Sequence, residues 1–246
     1  MLKKGLYSLL ILCLFISLGI HPVSSNTVKE IVSKEQRDLL IRELQKKEEK
    51  IKTFTATVIQ KKKLRLLSKT VESRGQIFLK RPMMFKWITS SPEKTVAVLN
   101  NHVFTVYHPD KKEAQIYDIN KDFIAHKTMA FFEAFMLGDI KKVEEDFDLR
   151  IFYDNNKGLL VFMLSPKNSI ARRYVSSIEI KYIRHSGIPV EMIMKTPKGD
   201  TTITTLKEQR VNIPLQDSLF KLKLSSDVWI TNRIEDEEEN PKGCCF

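Results

Sequence analysis

Beyond the first 25 residues the histidines are His102, His108, His126 and His185, the natural starting points for acid–base or metal chemistry. They are far apart in the chain, three of them in or beside predicted turns, and no His-Glu-x-x-His stretch brings two onto one helix face. A Gly-x-Ser-x-Gly nucleophile elbow and a phosphate-cradling glycine loop are also missing from the sequence. Only five glycines fall between Asn26 and Glu235, each of them single. Cys13 lies in an apolar leading stretch, and adjacent Cys244 and Cys245 could close a bridge only with strain, so no disulfide framework is expected. The sequence therefore points away from an enzyme, and no metal or cofactor is expected. What it carries in place of catalytic groups is soft apolar material: Met83, Met84, Met129, Met136, Met192 and Met194 beside 14 phenylalanines. Methionine adapts its shape and suits a pocket for flexible chains, although the same residues also fill ordinary cores.

Elements must position these side chains. Thr27-Val-Lys-Glu30 fits a capping box opening a helix, and Leu40, Leu44 and Ile51 continue an apolar stripe among lysines and glutamates. The charged face with Glu43, Lys46, Lys47 and Lys50 reads as solvated. At Phe54 the period changes to two, with Phe54, Ala56 and Val58 alternating with threonines. Strands are predicted there and near 71–79, 85–90, 95–99, 103–107, 113–119, 149–153, 159–164, 174–183, 190–195 and 201–211, with a last short one around 220–224. Turn residues separate them, among them Arg81-Pro82, Ser91-Pro92, Asn100-Asn101 and His185-Ser-Gly187. A second helix is predicted over 123–137, ending at Gly138. About ten or eleven antiparallel strands with short connections favour a mainly β fold, a strongly twisted sheet curling towards a barrel with two or more helices in or across its mouth.

The 246 residues suit one domain. Residues 1–25 read as a secretory signal: Lys3-Lys4, an apolar run from Leu6 to Leu18, then Ser24-Ser25 before a cleavage at Asn26. That run is short of the roughly 20 residues a spanning helix needs. Residues 26–234 form the expected domain, and 235–246, with the acidic run Glu235 to Glu239, read as a flexible tail. The whole chain carries a net charge of +11, which residues 26–234 raise to +13. Such a surface would approach anionic headgroups or an acidic partner, or simply aid solubility. No nucleic-acid module is recognised, and nucleic acid is not expected as a partner.

Gly75-Gln-Ile-Phe-Leu-Lys-Arg-Pro82, followed by Phe85-Lys-Trp87, resembles the Gly-x-Leu-x-x-Lys-Arg-Pro…Phe-x-Trp signature of the outer-membrane lipoprotein carrier proteins, the LolA family. Val96 to Leu99, Asn100-Asn101, Val103 to Tyr107, His108-Pro-Asp110, Gln115, Gly199-Asp-Thr-Thr, Arg210-Val-Asn-Ile-Pro214 and Leu219-Phe220 follow in the family's order, so the likeness spans roughly residues 30–225. The tail beyond Ser225 departs from it. The resemblance implies a monomeric periplasmic chaperone with a half-open β-barrel closed by helices around an apolar cavity. It would bind the acyl chains of lipoproteins, receive them from an inner-membrane release complex and pass them to an outer-membrane acceptor. Carriers and sensors of other lipids or glycolipids on the same fold remain alternatives, as does an envelope enzyme acting on lipid or glycan. By the same resemblance Arg81 would hold a lid closed through hydrogen bonds to helix carbonyls. Met83, Phe85 and Trp87, on one strand face, and Phe131, Phe132, Phe135 and Met136, in the lid helix, are the expected cavity residues. Lys61, Lys62 and Lys63 are expected to dock a partner or to protect a hairpin edge.

Overall fold

The computed structural model describes residues 28–66, 68–121 and 140–232. Their strands are β1 (Val28–Glu30), β2 (Thr53–Leu64), β3 (Lys69–Lys80), β4 (Met84–Ser91), β5 (Thr95–Asn100), β6 (Val103–His108), β7 (Glu113–Asp118), β8 (Phe147–Asp154), β9 (Leu159–Pro166), β10 (Ser177–Ile183), β11 (Pro189–Lys195), β12 (Thr201–Val211) and β13 (Trp229–Asn232). The described helices are α1 (Lys34–Glu48), α2 (Ile140–Asp146) and α3 (Ser169–Tyr174). All strands join one open, curled sheet in the order β1-β8-β9-β10-β11-β12-β2-β3-β4-β5-β6-β7-β13.

Period-two alternation decides which face is apolar. On β2, Phe54, Ala56 and Val58 are buried and stand in register with Leu79, Ile77 and Gly75 of β3. The row runs on through Phe85 and Trp87 of β4 to Leu99 and Ala97 of β5. In the other wing, Ile151, Phe162 and Ile180 form one rung across β8, β9 and β10, and Leu149, Leu164 and Ile178 the next. Both wings share a single hydrophobic core with Leu40, Ile41 and Leu44 of α1. One helix can touch both wings only if the sheet curls around it, so this is the concave face.

The eleven predicted main strands correspond to β2 through β12, and β1 and β13 raise the number to thirteen. The capping box at Thr27 does not start the helix: Val28–Glu30 pair antiparallel with Phe152–Asp154 of β8, and Arg150 clamps Glu30 through bonds of 2.7 and 2.6 Å. An open sheet edge and a two-pronged ion pair outweigh a local capping preference. The helix begins after Ser33, whose hydroxyl accepts the Gln36 N–H. Tyr174 likewise lies in α3 rather than in a strand, because Asn168 caps that turn by accepting the Ala171 N–H at 2.7 Å. The strand predicted around 220–224 is replaced by a 3-10 turn at Asp217–Phe220. The helix predicted over 123–137, with Phe131, Phe132, Phe135 and Met136, and both the leading segment 1–25 and the tail from 235 lie outside the described residues.

After β12 the chain crosses the convex face. Lys80 and Lys86 reach back from β3 and β4 to hold the carbonyls of Leu215 and Leu219, each at 2.9 Å, while Phe220 is fully buried against β4 and β5. The strap ends in β13, parallel to β7.

Gly75 sits at a register shift between β3 and β4. A Cβ there would lie 2.1 Å from the Ile88 carbonyl oxygen, an impossible approach that only strand displacement could relieve. Gly75→Ala is therefore expected to lower stability by roughly 2–3 kcal/mol. A denaturant midpoint unchanged from wild type would contradict this account of the bulge.

Candidate functional site

The concave face is where apolar residues and a helix packed over them coincide. Phe85 is buried there, and Met83 and Trp87 are half-buried and packed against the same core. Phe104 of β6 and Met192 and Met194 of β11 extend this soft surface toward both wings. Helix α1 lies across it because residues 40, 41 and 44 repeat at helical spacing with apolar side chains.

Arg81, in the turn between β3 and β4, ties down the end of this helix. Its Nε donates to the Ile51 carbonyl at 2.8 Å and its Nη2 to the Glu48 carbonyl at 3.1 Å. Glu48 is the last residue of the helix and its carbonyl also accepts the Ile51 N–H at 2.9 Å, while Ile51 lies just beyond; the partial negative charge at a helix C-terminus favours a guanidinium there. The backbone adds a third link, from the Arg81 N–H to the Lys52 carbonyl at 3.0 Å. Elsewhere along α1, Arg37 pairs with Glu144 of α2, and Lys47 donates to the Arg184 carbonyl at 3.0 Å. Lys47 is thus half-buried and engaged, whereas Glu43, Lys46 and Lys50 face solvent.

Glu48 is the feature that the sequence reading missed. It is 1 % exposed, and among the described residues neither carboxylate oxygen has a hydrogen-bond partner. Burial pushes its pKa up to about 8 against the opposing pull of the Arg81 charge. The Tyr182 hydroxyl, also buried, is raised by desolvation and by the neighbouring Glu48 charge. A signal was present: Leu40, Leu44 and Glu48 repeat at intervals of four, which places a carboxylate on the apolar stripe.

Lys61, Lys62 and Lys63 lie far from this latch, near the tip of the β2–β3 hairpin. Lys61 pairs with Glu72 at 3.5 Å. His102 and His185 are exposed in separate turns, His108 is half-buried at the end of β6, and His126 is outside the described residues. Among the described residues, no helix is long and apolar enough to cross a membrane.

Residues 49–223 match the model of the family described as outer membrane lipoprotein carrier protein LolA. The chain belongs to this family. Among its relatives, an outer-membrane lipoprotein carrier protein of Coxiella burnetii is 24% identical over 157 residues, 64% of this chain and 70% of that one. The protein of the same description from Pseudomonas paraeruginosa is 29% identical over 96 residues, 39% of this chain, and the match spans 43% of that relative's length. A crystal structure of an uncharacterized conserved protein from Thermus thermophilus superposes with a TM-score of 0.50 at 12% identity, covering 80% of this chain and 99% of that one, which supports the fold alone.

Proposed function

We propose that the protein is a periplasmic carrier that shields lipoprotein acyl chains against its concave face and conveys them from an inner-membrane release complex to an outer-membrane acceptor. In this reading, residues 1–25 are removed on export, residues 26–234 form the carrier unit, and it acts as a monomer without catalysis. The observation that carries the proposal is the Arg81 latch: a guanidinium at the β3–β4 turn bonded to the last carbonyl of a helix laid over an apolar face, that of Glu48, and to the Ile51 carbonyl just beyond it. Family membership supports it.

The energetics suit the task. Burying a 16-carbon chain contributes on the order of 10 kcal/mol, at about 0.8 kcal/mol per methylene, so a carrier must offer comparable apolar area or its cargo stays in the bilayer. It must also release. A cover that has to be unlatched before the cavity fills subtracts its opening cost from the net affinity. Met83, Phe85, Trp87, Phe131, Phe132, Phe135 and Met136 are the proposed chain-contacting residues.

Release from membranes tests the proposal. Mature protein is incubated with inner-membrane vesicles holding labelled triacylated lipoprotein and an active release complex. Labelled lipoprotein is expected in the soluble fraction as a one-to-one complex only when the protein is present. No release, with binding of a free fatty acid or glycolipid retained, would overturn the lipoprotein assignment and leave a carrier of another lipid.

A further inference from the structure

The β2–β3 hairpin outruns its neighbour on one side only: β12 follows β2 as far as Lys63, but β4 stops short. Its rungs continue from Thr53–Lys80 to Leu64–Lys69, whereas β4 stops pairing with β3 at Arg74. Residues 69–73 thus project beyond β4, by about 17 Å at 3.4 Å per residue. At the tip the Ser68 N–H donates to the Arg65 carbonyl at 3.3 Å, and Ser68 is in the left-handed region at φ 48°. The tip is also buttressed: the Arg65 N–H donates to the Asp200 carboxylate of the β11–β12 turn at 2.9 Å.

The tip presents an apolar side chain to solvent. Leu66 is 84 % exposed at its apex. Around it stand Lys61, Lys63, Arg65 and Lys69, all exposed, with Lys62 half-buried on the concave side. Residues 60–73 hold five cations against the single carboxylate of Glu72, a local charge of +4. Edge protection accounts for lysines but not for a leucine pushed outward among them.

We propose that this hairpin tip is a membrane-docking device that seats on anionic phospholipid: Leu66 enters the headgroup boundary and the surrounding cations bind phosphate headgroups. The combination of an apolar point and a cationic collar matches the two requirements of interfacial binding, apolar burial and attraction to anionic lipid. An acidic protein partner would need only the collar, whereas Leu66, with Leu64 and Leu67 beside it in the sequence, supplies the apolar element that interfacial binding requires. The latch at Arg81 is at the opposite end of the β2–β3 pair, since Lys80 is the rung partner of Thr53, so docking would leave the cover of the concave face unobstructed.

Sedimentation of the mature chain with vesicles containing phosphatidylglycerol and phosphatidylethanolamine, against phosphatidylcholine vesicles, tests this without any lipoprotein and so independently of the cargo. Binding is expected to the anionic vesicles only and to fall with added salt. Leu66→Asp is expected to weaken it about tenfold, and the triple change Lys61→Glu, Lys63→Glu, Lys69→Glu by more than a hundredfold at about fivefold per cation removed. Unchanged near-UV circular dichroism would show that the variants are folded. No binding to anionic vesicles, or binding indifferent to both sets of changes, would overturn the proposal. So would a loss confined to the lysine variant, which would make the attraction purely electrostatic, without entry of Leu66 into the headgroup boundary.

Discussion

Between pH 5 and pH 8, wild-type protein is expected to lose stability that a Glu48→Gln variant keeps. The Glu48 carboxyl is buried, without a hydrogen-bond partner among the described residues, and its pKa is pushed up to about 8 in the folded protein, against 4.5 as its ordinary value. A carboxyl raised on folding binds its proton more tightly in the native state, so stability is highest when both states are protonated. It falls as pH rises above about 4.5 and levels off past about 8. At 1.36 kcal/mol per unit, the difference between wild type and Gln should change by about 3–4 kcal/mol over that window. For a domain of this size that corresponds to roughly 10 °C in melting temperature. The groups facing Glu48 that set this behaviour are Arg81, which draws its pKa down, and Tyr182, whose own ionisation it opposes. Parallel melting profiles for the two proteins across pH 5–8 would refute the assignment.

The Arg81→Leu variant is expected to move stability and cargo retention in opposite directions. It deletes two bonds from a charged donor, to Ile51 and Glu48, each worth about 1.5–3 kcal/mol. The cargo-free protein should lose roughly 3 kcal/mol of stability, because the helix-end carbonyls are left without that partner. If Arg81 sets the opening cost, the same loss is subtracted from the work of uncovering the concave face. Lipoprotein should then be retained about a hundredfold more tightly and handed to acceptor membranes correspondingly more slowly. Arg81→Lys keeps the charge but not the two-pronged geometry, and an intermediate result is expected. A variant that is destabilised but hands over cargo at the wild-type rate would reduce Arg81 to a structural staple.

The legible parts of the fold were those in which local pattern and tertiary position agree. Alternation at Phe54, Ala56 and Val58 identifies β2 and its inward face, and Leu40 and Leu44 identify the side of α1 that is buried. The illegible parts depend on partners distant in sequence. Val28–Glu30 becomes a strand only because β8, more than a hundred residues later, offers an edge, and Trp229–Asn232 pairs with β7 from a comparable separation. Phe220 reads as strand from composition, yet its burial comes from the strap that carries it onto the convex face. Arg81 could be singled out from its sequence block, while Glu48 was not singled out at all. The surrounding glutamates and lysines hid the fact that its position falls on the apolar stripe.

The sheet order also constrains the sequence of events by which the chain acquires its structure. β2 through β7 follow one another as neighbours, and so do β8 through β12, so each wing can assemble from local hairpins as its residues become available. The seam joining the wings is β2 with β12, Phe54 opposite Val211 and Lys63 opposite Thr201. Closing it requires a loop of well over a hundred residues, and such long-range pairings are slow. Until Thr201 and its successors arrive, the β2 edge stays open, a template for pairing with other chains. Lys61, Lys62 and Lys63 occupy that waiting edge. Like charge along that edge disfavours pairing with the same segment of a second molecule.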